Sequence, residues 1–434
     1  MKKNLIYLGI SADSLHPAHI NLIEKSKTYG KLIIGLISDD AIAKNKKKKS
    51  FYDYQQRKKI VSNLKGVEEI VEQKDWDYSV NLRRIKPQYF IHGDDWKFGP
   101  DRKIRENVIK VLKSYGGELI EVPYLKGVES HSINANNNSL LTTTPEIRLT
   151  SLKKLLYEKK FLRFIETHSP ISAMIAEKTK IIKKARIISE FDGFWSSSLT
   201  DSTCNGKPDT ESLDMSSRIQ NIDRIFDVTF KPLIIDIDTG GKLEHISMKI
   251  NSLERLGVSA AIMEDKKGVK RNSLHKNTSN QEQEEMGLFS EKLKKIKKNQ
   301  TTEDFMIIAR IESLILGKSI KDAYKRASAY VEAGADGIMI HSKSTNPNEI
   351  FHFAKIFKKK YQDIPLVCVP STYNKVREEQ LRSNGINIVI YANHMLRASY
   401  KAMKNVAFDI LKNKRSKESD KNLTSISEIV NLIP

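Results

Sequence analysis

The stretch LIIDIDTGGKLEHISMKINSLERLGVSAAIMEDK, residues 233–266, decides the fold. Two short apolar runs, LIIDIDT and AAIMEDK, each finish in acidic residues and flank a segment of helical pattern, the rhythm of a strand–helix–strand unit. Working outward, the same rhythm returns in FIETHS (164–169), FDGFWSSS (191–198), FMIIARIES (305–313), GIMIHSK (337–343), LVCVPST (366–372) and NIVIYANH (387–394). Eight such runs separated by helical segments predict a closed (β/α)8 barrel over residues 151–434.

Upstream the count differs. LIYLGI (5–10), KLIIGLIS (31–38), PQYFIHGDD (87–95) and ELIEVPY (118–124) alternate with helical segments, one of them starting near His19 and another in RENVIKVLKSYG (105–116). This predicts a Rossmann-like doubly wound parallel sheet over 1–133. NANNNSLLTTTPEIRLT (134–150), rich in Asn and Thr and without a period, reads as a linker. The fold class is therefore α/β in two domains, as 434 residues lead one to expect.

Composition narrows the function. No run is long enough to span a bilayer, and the short apolar start reads better as a buried first strand than as a signal peptide. Two cysteines, Cys204 and Cys368, are too few for a disulfide framework. Together these suggest a cytoplasmic protein without a membrane partner. The net charge of +21 invites a nucleic-acid reading. However, the lysines lie in dispersed runs such as KNKKKK (44–49) and KLKKIKK (292–298), without interleaved aromatics or a reader motif. They read as solvated faces, and small phosphorylated substrates would also benefit.

Polar residues fall at or just past the ends of the apolar runs: Trp195 and Ser197, Asp236 and Asp238, Glu264, Arg310, His341. In a (β/α)8 barrel those ends converge on one face. Asp-x-Asp puts two carboxylates on one face of a strand, and Glu264 follows on the next, a set that suits a hard cation such as Mg²⁺ held partly through water. Helix caps or ion pairs are the structural alternative. Arg310 and His341 would supply donors for an anionic phosphoryl group, although His341 can equally be structural. EDKKGVKRNSLHKNTSN (264–280) is polar and aperiodic, either a lid from which Lys270 and Asn272 reach inward or an ordinary basic loop.

FWSSSLTDS (194–202), DIDTG (236–240), EDKKGVKRNSL (264–274), ARIES (309–313), AGADGIMIHSK (333–343) and VIYANHMLRAS (389–399) together resemble phosphoenolpyruvate mutase of the isocitrate lyase superfamily, over nearly all of 160–434. The KKCGH nucleophile segment of isocitrate lyases is absent. Related phosphonopyruvate hydrolases usually replace the lid asparagine, so Asn272 tilts the reading towards the mutase. The resemblance implies that Asp236, Asp238 and Glu264 organise Mg²⁺, and that Trp195, Ser197, Ser198 and the backbone near Leu199 frame the pyruvyl part. It further implies that Arg310, His341, Asn272 and Ser273 bind the migrating phosphoryl group, that Lys270 belongs to the lid, and that Asp209 lies near the reacting centre. Two departures stand out: GKLEH follows DIDTG where a Gly-Asn turn is typical, and Ser198 replaces a common glycine.

LHPAH (15–19) places His16 and His19 at a helix opening, where free N–H groups favour phosphate; core or surface histidines are the alternative. With KNKKKKSFYDYQQRKKIV (44–61), FIHGDDWKFG (90–99) and PYLKGVESHSI (123–133), these residues resemble glycerol-3-phosphate cytidylyltransferase-like proteins over roughly 4–133. His16 and His19 match an HxGH signature in which Ala18 replaces the glycine. Gly9, Asp13, Lys44, Arg57, Ser130 and Ser132 match nucleotide-binding positions, as does Lys126, where an arginine is usual.

The fusion suggests a bifunctional enzyme of phosphonate biosynthesis, with phosphoenolpyruvate, phosphonopyruvate and CTP as substrates and CMP transferred to a phosphonate such as 2-aminoethylphosphonate. A phosphonopyruvate decarboxylase would be its functional partner. The resemblance also implies a homo-oligomer, tetramer or dimer. The competing readings are a hydrolase or carbon–carbon lyase on the same barrel, and a mutase with a non-catalytic anion-binding N-terminal domain.

Overall fold

The computed structural model describes residues 4–12, 15, 17–46, 50, 52–97, 101–123, 143–183, 186–268, 273 and 281–433. The chain divides into two compact units, Met1–Ser139 and Leu140–Pro434.

In the first unit, β1 (Leu5–Ile10), β2 (Lys31–Ile37), β3 (Glu69–Gln73), β4 (Tyr89–Gly93) and β5 (Glu118–Val122) form a parallel sheet of order β3-β2-β1-β4-β5. β1 is apolar throughout because it is covered on both faces. Ile6, Leu8 and Ile10 enter one core with Ile23, Leu32 and Ile34, while Tyr7 enters another with Phe90, Val108 and Leu112. The doubly wound expectation is met with one strand more than the four runs foreseen. β3 escaped notice because it is an edge strand, EIVEQ, with only Gln73 buried, so charge interrupts its apolar run.

The second unit contains β6 (Leu162–Glu166), β7 (Lys180–Lys183), β8 (Arg186–Glu190), β9 (Gly193–Ser196), β10 (Leu233–Asp236), β11 (Ala260–Glu264), β12 (Lys266–Lys267), β13 (Glu282–Gln283), β14 (Met306–Ile311), β15 (Gly337–Ile340), β16 (Leu366–Cys368) and β17 (Ile388–Tyr391). β6, β9, β10, β11, β14, β15, β16 and β17 close into a parallel barrel, with β17 paired back to β6. β7 and β8 form an antiparallel hairpin between the first two barrel strands, which the apolar-run reading did not foresee.

Alternation fixes what fills the barrel. Phe164, Trp195, Ile234, Ile262, Ile308, Met339, Val367 and Ile390 point inward, while Ile165, Ile235, Ala261, Ile307 and Ile338 pack on the surrounding helices. The helix Pro145–Lys159 contributes Leu152, fully buried, to the inner cluster, and the Ser259 hydroxyl donates to its Arg148 carbonyl at 2.7 Å just before β11 begins. That helix therefore covers the end of the barrel where the strands start. Its first residues fall in the stretch expected to be linker; they are helical from Pro145. Gly257 is required there, since at φ +91° a Cβ would lie 2.7 Å from the Pro145 Cα.

Candidate active site

At the opposite end the strands deliver polar groups to one cavity, lined by Trp195, Ser197, Ser198, Leu199, Asp209, Asp236, Ser273, Arg310, Met339, His341, Val369, Ser371, Ala392 and Asn393. Strands with inward residues at every second position reach this layer together, so positions far apart in the chain become neighbours. Nine of these fourteen residues were singled out in the sequence.

Asp236 ends β10, and its Oδ1 accepts the Asp238 N–H at 2.9 Å. Asp238 does not share the strand face as expected. The strand has ended, and Asp238 turns with φ +56°, a left-handed conformation that costs a non-glycine residue of order 1 kcal/mol or more. This turn is held from outside by Arg218, which donates to the Asp236 carbonyl at 2.6 Å and Asp201 Oδ2 at 2.8 Å and lies 3.7 Å from Asp238 Oδ2. Burial alone would lower the Arg218 pKa, but Asp201, Asp238 and Asp236 raise it, so it stays charged. Arg218 gave no signal in the sequence because it lies near the start of the helix Met215–Phe226, outside any strand end.

Glu264 is fully buried at the end of β11 and in register with Arg310 on β14. Among the described residues no three acidic, histidine or cysteine side chains converge closely enough to chelate a metal directly. The oxygen-only donor set of Asp236, Asp238 and Glu264 fits a cation that keeps part of its water shell, as Mg²⁺ does.

Arg310 is the centre of the cationic side. Its Nε donates to Glu312 Oε1 at 2.6 Å and its Nη2 to Ser273 Oγ at 2.7 Å, while Asp236 and Glu264 lie 3.7 and 3.4 Å away. Burial would lower its pKa; Glu312, Glu264 and Asp236 more than reverse this. Burial likewise pushes the Glu312 carboxyl up, but Arg310 and Lys266 hold it well below the usual carboxylate range.

His341 Nδ1 is 3.1 Å from Arg310 Nη2, which can only donate, and 3.5 Å from Glu312 Oε1, too long for a good bond. Nδ1 is therefore the acceptor and Nε2 carries the proton. Burial, reinforced by Arg310, lowers the His341 pKa below its usual 6.5, so the imidazole is neutral at pH 7.

On the other flank, Trp195 lines the cavity, and its buried indole N–H meets no hydrogen-bond acceptor among the described residues. Ser197 caps the helix Ser198–Cys204, its hydroxyl accepting the Thr200 N–H at 3.1 Å. Ser198, where a glycine is common, donates to Asp209 Oδ1 at 3.0 Å and thereby fixes the carboxylate expected near the reacting centre. Met339, Val369 and Ala392 supply an apolar floor that no polar strand-end residue marks in the sequence.

The stretch read as a lid begins with β12, which pairs with β13 beyond it, Lys266 to Gln283 and Lys267 to Glu282. Ser273 reaches the cavity, whereas Lys270 and Asn272 lie outside the described residues. Two residues that sequence reasoning missed meet Ser273: Lys266, whose Nζ is 2.6 Å from its hydroxyl, and Glu312, which accepts from it at 2.8 Å. Both stand inside the motifs EDK and ARIES, but past the last residue of the strand.

In the N-terminal unit, Asp13, His16, Lys126, Ser130 and Ser132 lie outside the described residues. His19 is in the first turn of the helix Pro17–Lys27, and Lys44 is exposed on the helix Asp39–Lys46. Gly9 is buried, and a Cβ there would lie 2.1 Å from the Tyr78 ring. Arg57 is fully buried. Its guanidinium donates to the carbonyls of Ser11, Ile37 and Tyr52 and to Asp39 Oδ1, tying together the segments after β1 and β2.

Residues 152–411 match the family model described as phosphoenolpyruvate phosphomutase, and residues 7–136 match one described as cytidylyltransferase-like. A phosphoenolpyruvate phosphomutase of Tetrahymena pyriformis is 33% identical over 297 residues, covering 68% of this chain and 94% of that protein. The solved structure of a phosphonopyruvate hydrolase in complex with oxalate and Mg²⁺ superposes with a TM-score of 0.58 at 32% identity, covering 67% of this chain and 95% of that one. Over the N-terminal unit, a glycerol-3-phosphate cytidylyltransferase of Bacillus spizizenii is 30% identical over 141 residues, 32% of this chain and 100% of that protein.

Proposed function

Since the chain belongs to the phosphoenolpyruvate phosphomutase family through its barrel, and to the cytidylyltransferase-like family through its N-terminal sheet, we propose that the barrel interconverts phosphoenolpyruvate and 3-phosphonopyruvate. The observation that carries this reading is one cavity in which Asp236 faces Arg310 and the neutral His341, with Trp195 and Ser197 alongside. Asp236, Asp238 and Glu264 would hold Mg²⁺, which when bound neutralises negative charge on the pyruvyl oxygens. Trp195, Ser198 and Leu199 frame the pyruvyl part, and Asp209, fixed by Ser198, sits beside it. Arg310, His341 Nε2–H and Ser273 meet the phosphoryl group. Phosphoryl transfer through a loose transition state calls for positioning and charge stabilisation rather than a covalent helper. Closure of the 264–280 lid would exclude water, and the apolar floor of Met339, Val369 and Ala392 offers none.

The same reading makes the N-terminal domain the transferase of CMP from CTP to a phosphonate such as 2-aminoethylphosphonate, supported by the full-length match to a cytidylyltransferase. A decarboxylase acting on phosphonopyruvate would link the two reactions. The enzyme is read as cytoplasmic; no helix among the described residues is long and apolar enough to cross a membrane. It is also read as a homo-oligomer, because the helix His394–Asn413 buries none of its residues and exposes Tyr400, Met403, Phe408 and Leu411.

A hydrolase is the second reading, favoured by the similarity to the phosphonopyruvate hydrolase. ³¹P NMR of phosphonopyruvate with Mg²⁺ separates the two. Phosphoenolpyruvate appearing, and lost in Asp236→Ala, supports the mutase; phosphate with pyruvate shows hydrolysis; no change of substrate refutes both. Incubation with CTP and either 2-aminoethylphosphonate or glycerol 3-phosphate tests the other domain, and turnover of glycerol 3-phosphate alone removes the phosphonate version.

A further inference from the structure

Arg310 and Lys266 stand between two sets of carboxylates. One set is Asp236 and Glu264: Arg310 lies 3.7 and 3.4 Å from them, and Lys266 lies 3.5 Å from Glu264. The register of β11 against β14, which pairs Glu264 with Arg310, makes this neighbourhood unavoidable. The other set is Glu312 alone, and it is nearer to both cations: 2.6 Å from Arg310 Nε and 3.3 Å from Lys266 Nζ. Glu312 also accepts the Ser273 hydroxyl at 2.8 Å, so Arg310 and Ser273, which line the cavity, and Lys266, which donates to Ser273, share one fully buried carboxylate.

Glu312 is itself immobilised through the main chain. Its N–H donates to Asp265 Oδ1 at 2.9 Å, and Asp265 Oδ2 accepts from Tyr330 at 2.7 Å, Gln283 at 2.8 Å and Arg326 at 3.2 Å. A cation that settles on a metal-binding carboxylate competes with the metal by direct Coulomb repulsion, which is strong in a buried site.

We propose that Glu312 is a positioning residue: it draws Arg310 and Lys266 off the metal-binding carboxylates and aims Arg310 and Ser273 at the phosphoryl group. The inference rests on the assignment of Asp236, Asp238 and Glu264 to Mg²⁺. Neutralising Glu312 should send both cations towards Glu264 and Asp236 and weaken Mg²⁺ binding in the absence of any substrate. Outer partners of metal ligands typically change affinity by about tenfold or more when removed.

The test is a calorimetric Mg²⁺ titration of the full chain. Glu312→Gln is expected to raise the Mg²⁺ dissociation constant roughly tenfold, and adding Lys266→Met to that variant should recover part of the loss by removing a released cation. Should Glu312→Gln not fold, Lys266→Met alone decides, because it is expected to tighten Mg²⁺ binding. Wild-type affinity in Glu312→Gln, no recovery in the double variant, or unchanged or weaker binding in Lys266→Met overturns the proposal. So does a wild-type protein that does not bind Mg²⁺. No substrate enters the titration, so its outcome is separate from that of the NMR assay on which the mutase reading depends.

Discussion

Arg57 and Arg310 are both buried arginines matched to phosphate-binding positions, one in each unit, and the fold uses them differently. Arg57 spends its donors on three backbone carbonyls and Asp39, so its fork is occupied by scaffold. Arg310 makes its closest contacts with side chains and lines a cavity. A buried guanidinium surrounded by carbonyls fixes loops, whereas one balanced by a neighbouring carboxylate at a cavity wall keeps a face for an anion.

The largest effect expected from this contrast is on catalysis. Arg310→Lys keeps the charge but loses the planar fork that spans Glu312, Ser273 and His341, and steady-state assays should show kcat/KM reduced by about 10²-fold or more. A loss under tenfold would remove the distinction between the two arginines. Next in size, Arg57→Ala leaves carbonyls and Asp39 without their buried donor and should destabilise the N-terminal unit by about 3 kcal/mol, while phosphonopyruvate conversion by the barrel stays unchanged. Denaturant unfolding, read beside the NMR assay, checks both halves.

The third concerns pH. The folded His341 pKa is lowered from 6.5, so well above 6.5 the imidazole is neutral folded or unfolded and adds no pH dependence. As pH falls below 6.5 the unfolded chain takes up a proton that the folded site resists, and stability declines. Turnover of phosphonopyruvate should therefore show no titration of His341 between pH 7 and 8. An NMR titration placing the His341 midpoint above 6.5 would contradict the Arg310–His341 geometry. The smallest effect is expected from Ser198→Gly, which removes one hydrogen bond to Asp209 and should change kcat/KM severalfold, in keeping with about 1 kcal/mol for such a bond. An unchanged value would mean that Asp209 is held otherwise.

Much of the barrel site was legible because its chemistry sits on strand ends, where an apolar run stops at a polar residue. Asp236, Arg310 and His341 announce themselves in that way. Arg218, Lys266 and Glu312 do not, since a charged residue in a helix or beyond a strand end looks like any solvated one. Met339, Val369 and Ala392 are indistinguishable in sequence from the rest of the core. β3 was missed for the opposite reason, an edge strand carrying charge.

The sequence by itself determined the two α/β units, the eightfold strand count and the residue types converging on one barrel end, because strand periodicity and the right-handed βα crossover leave few alternatives. Only the tertiary structure decided which charges meet. Register places Arg310 beside Glu264, a left-handed turn carries Asp238 off its strand, and Glu312 becomes the shared partner of two cations. Electrostatic partners depend on distances of a few ångströms across strands far apart in the chain, and no local pattern encodes them.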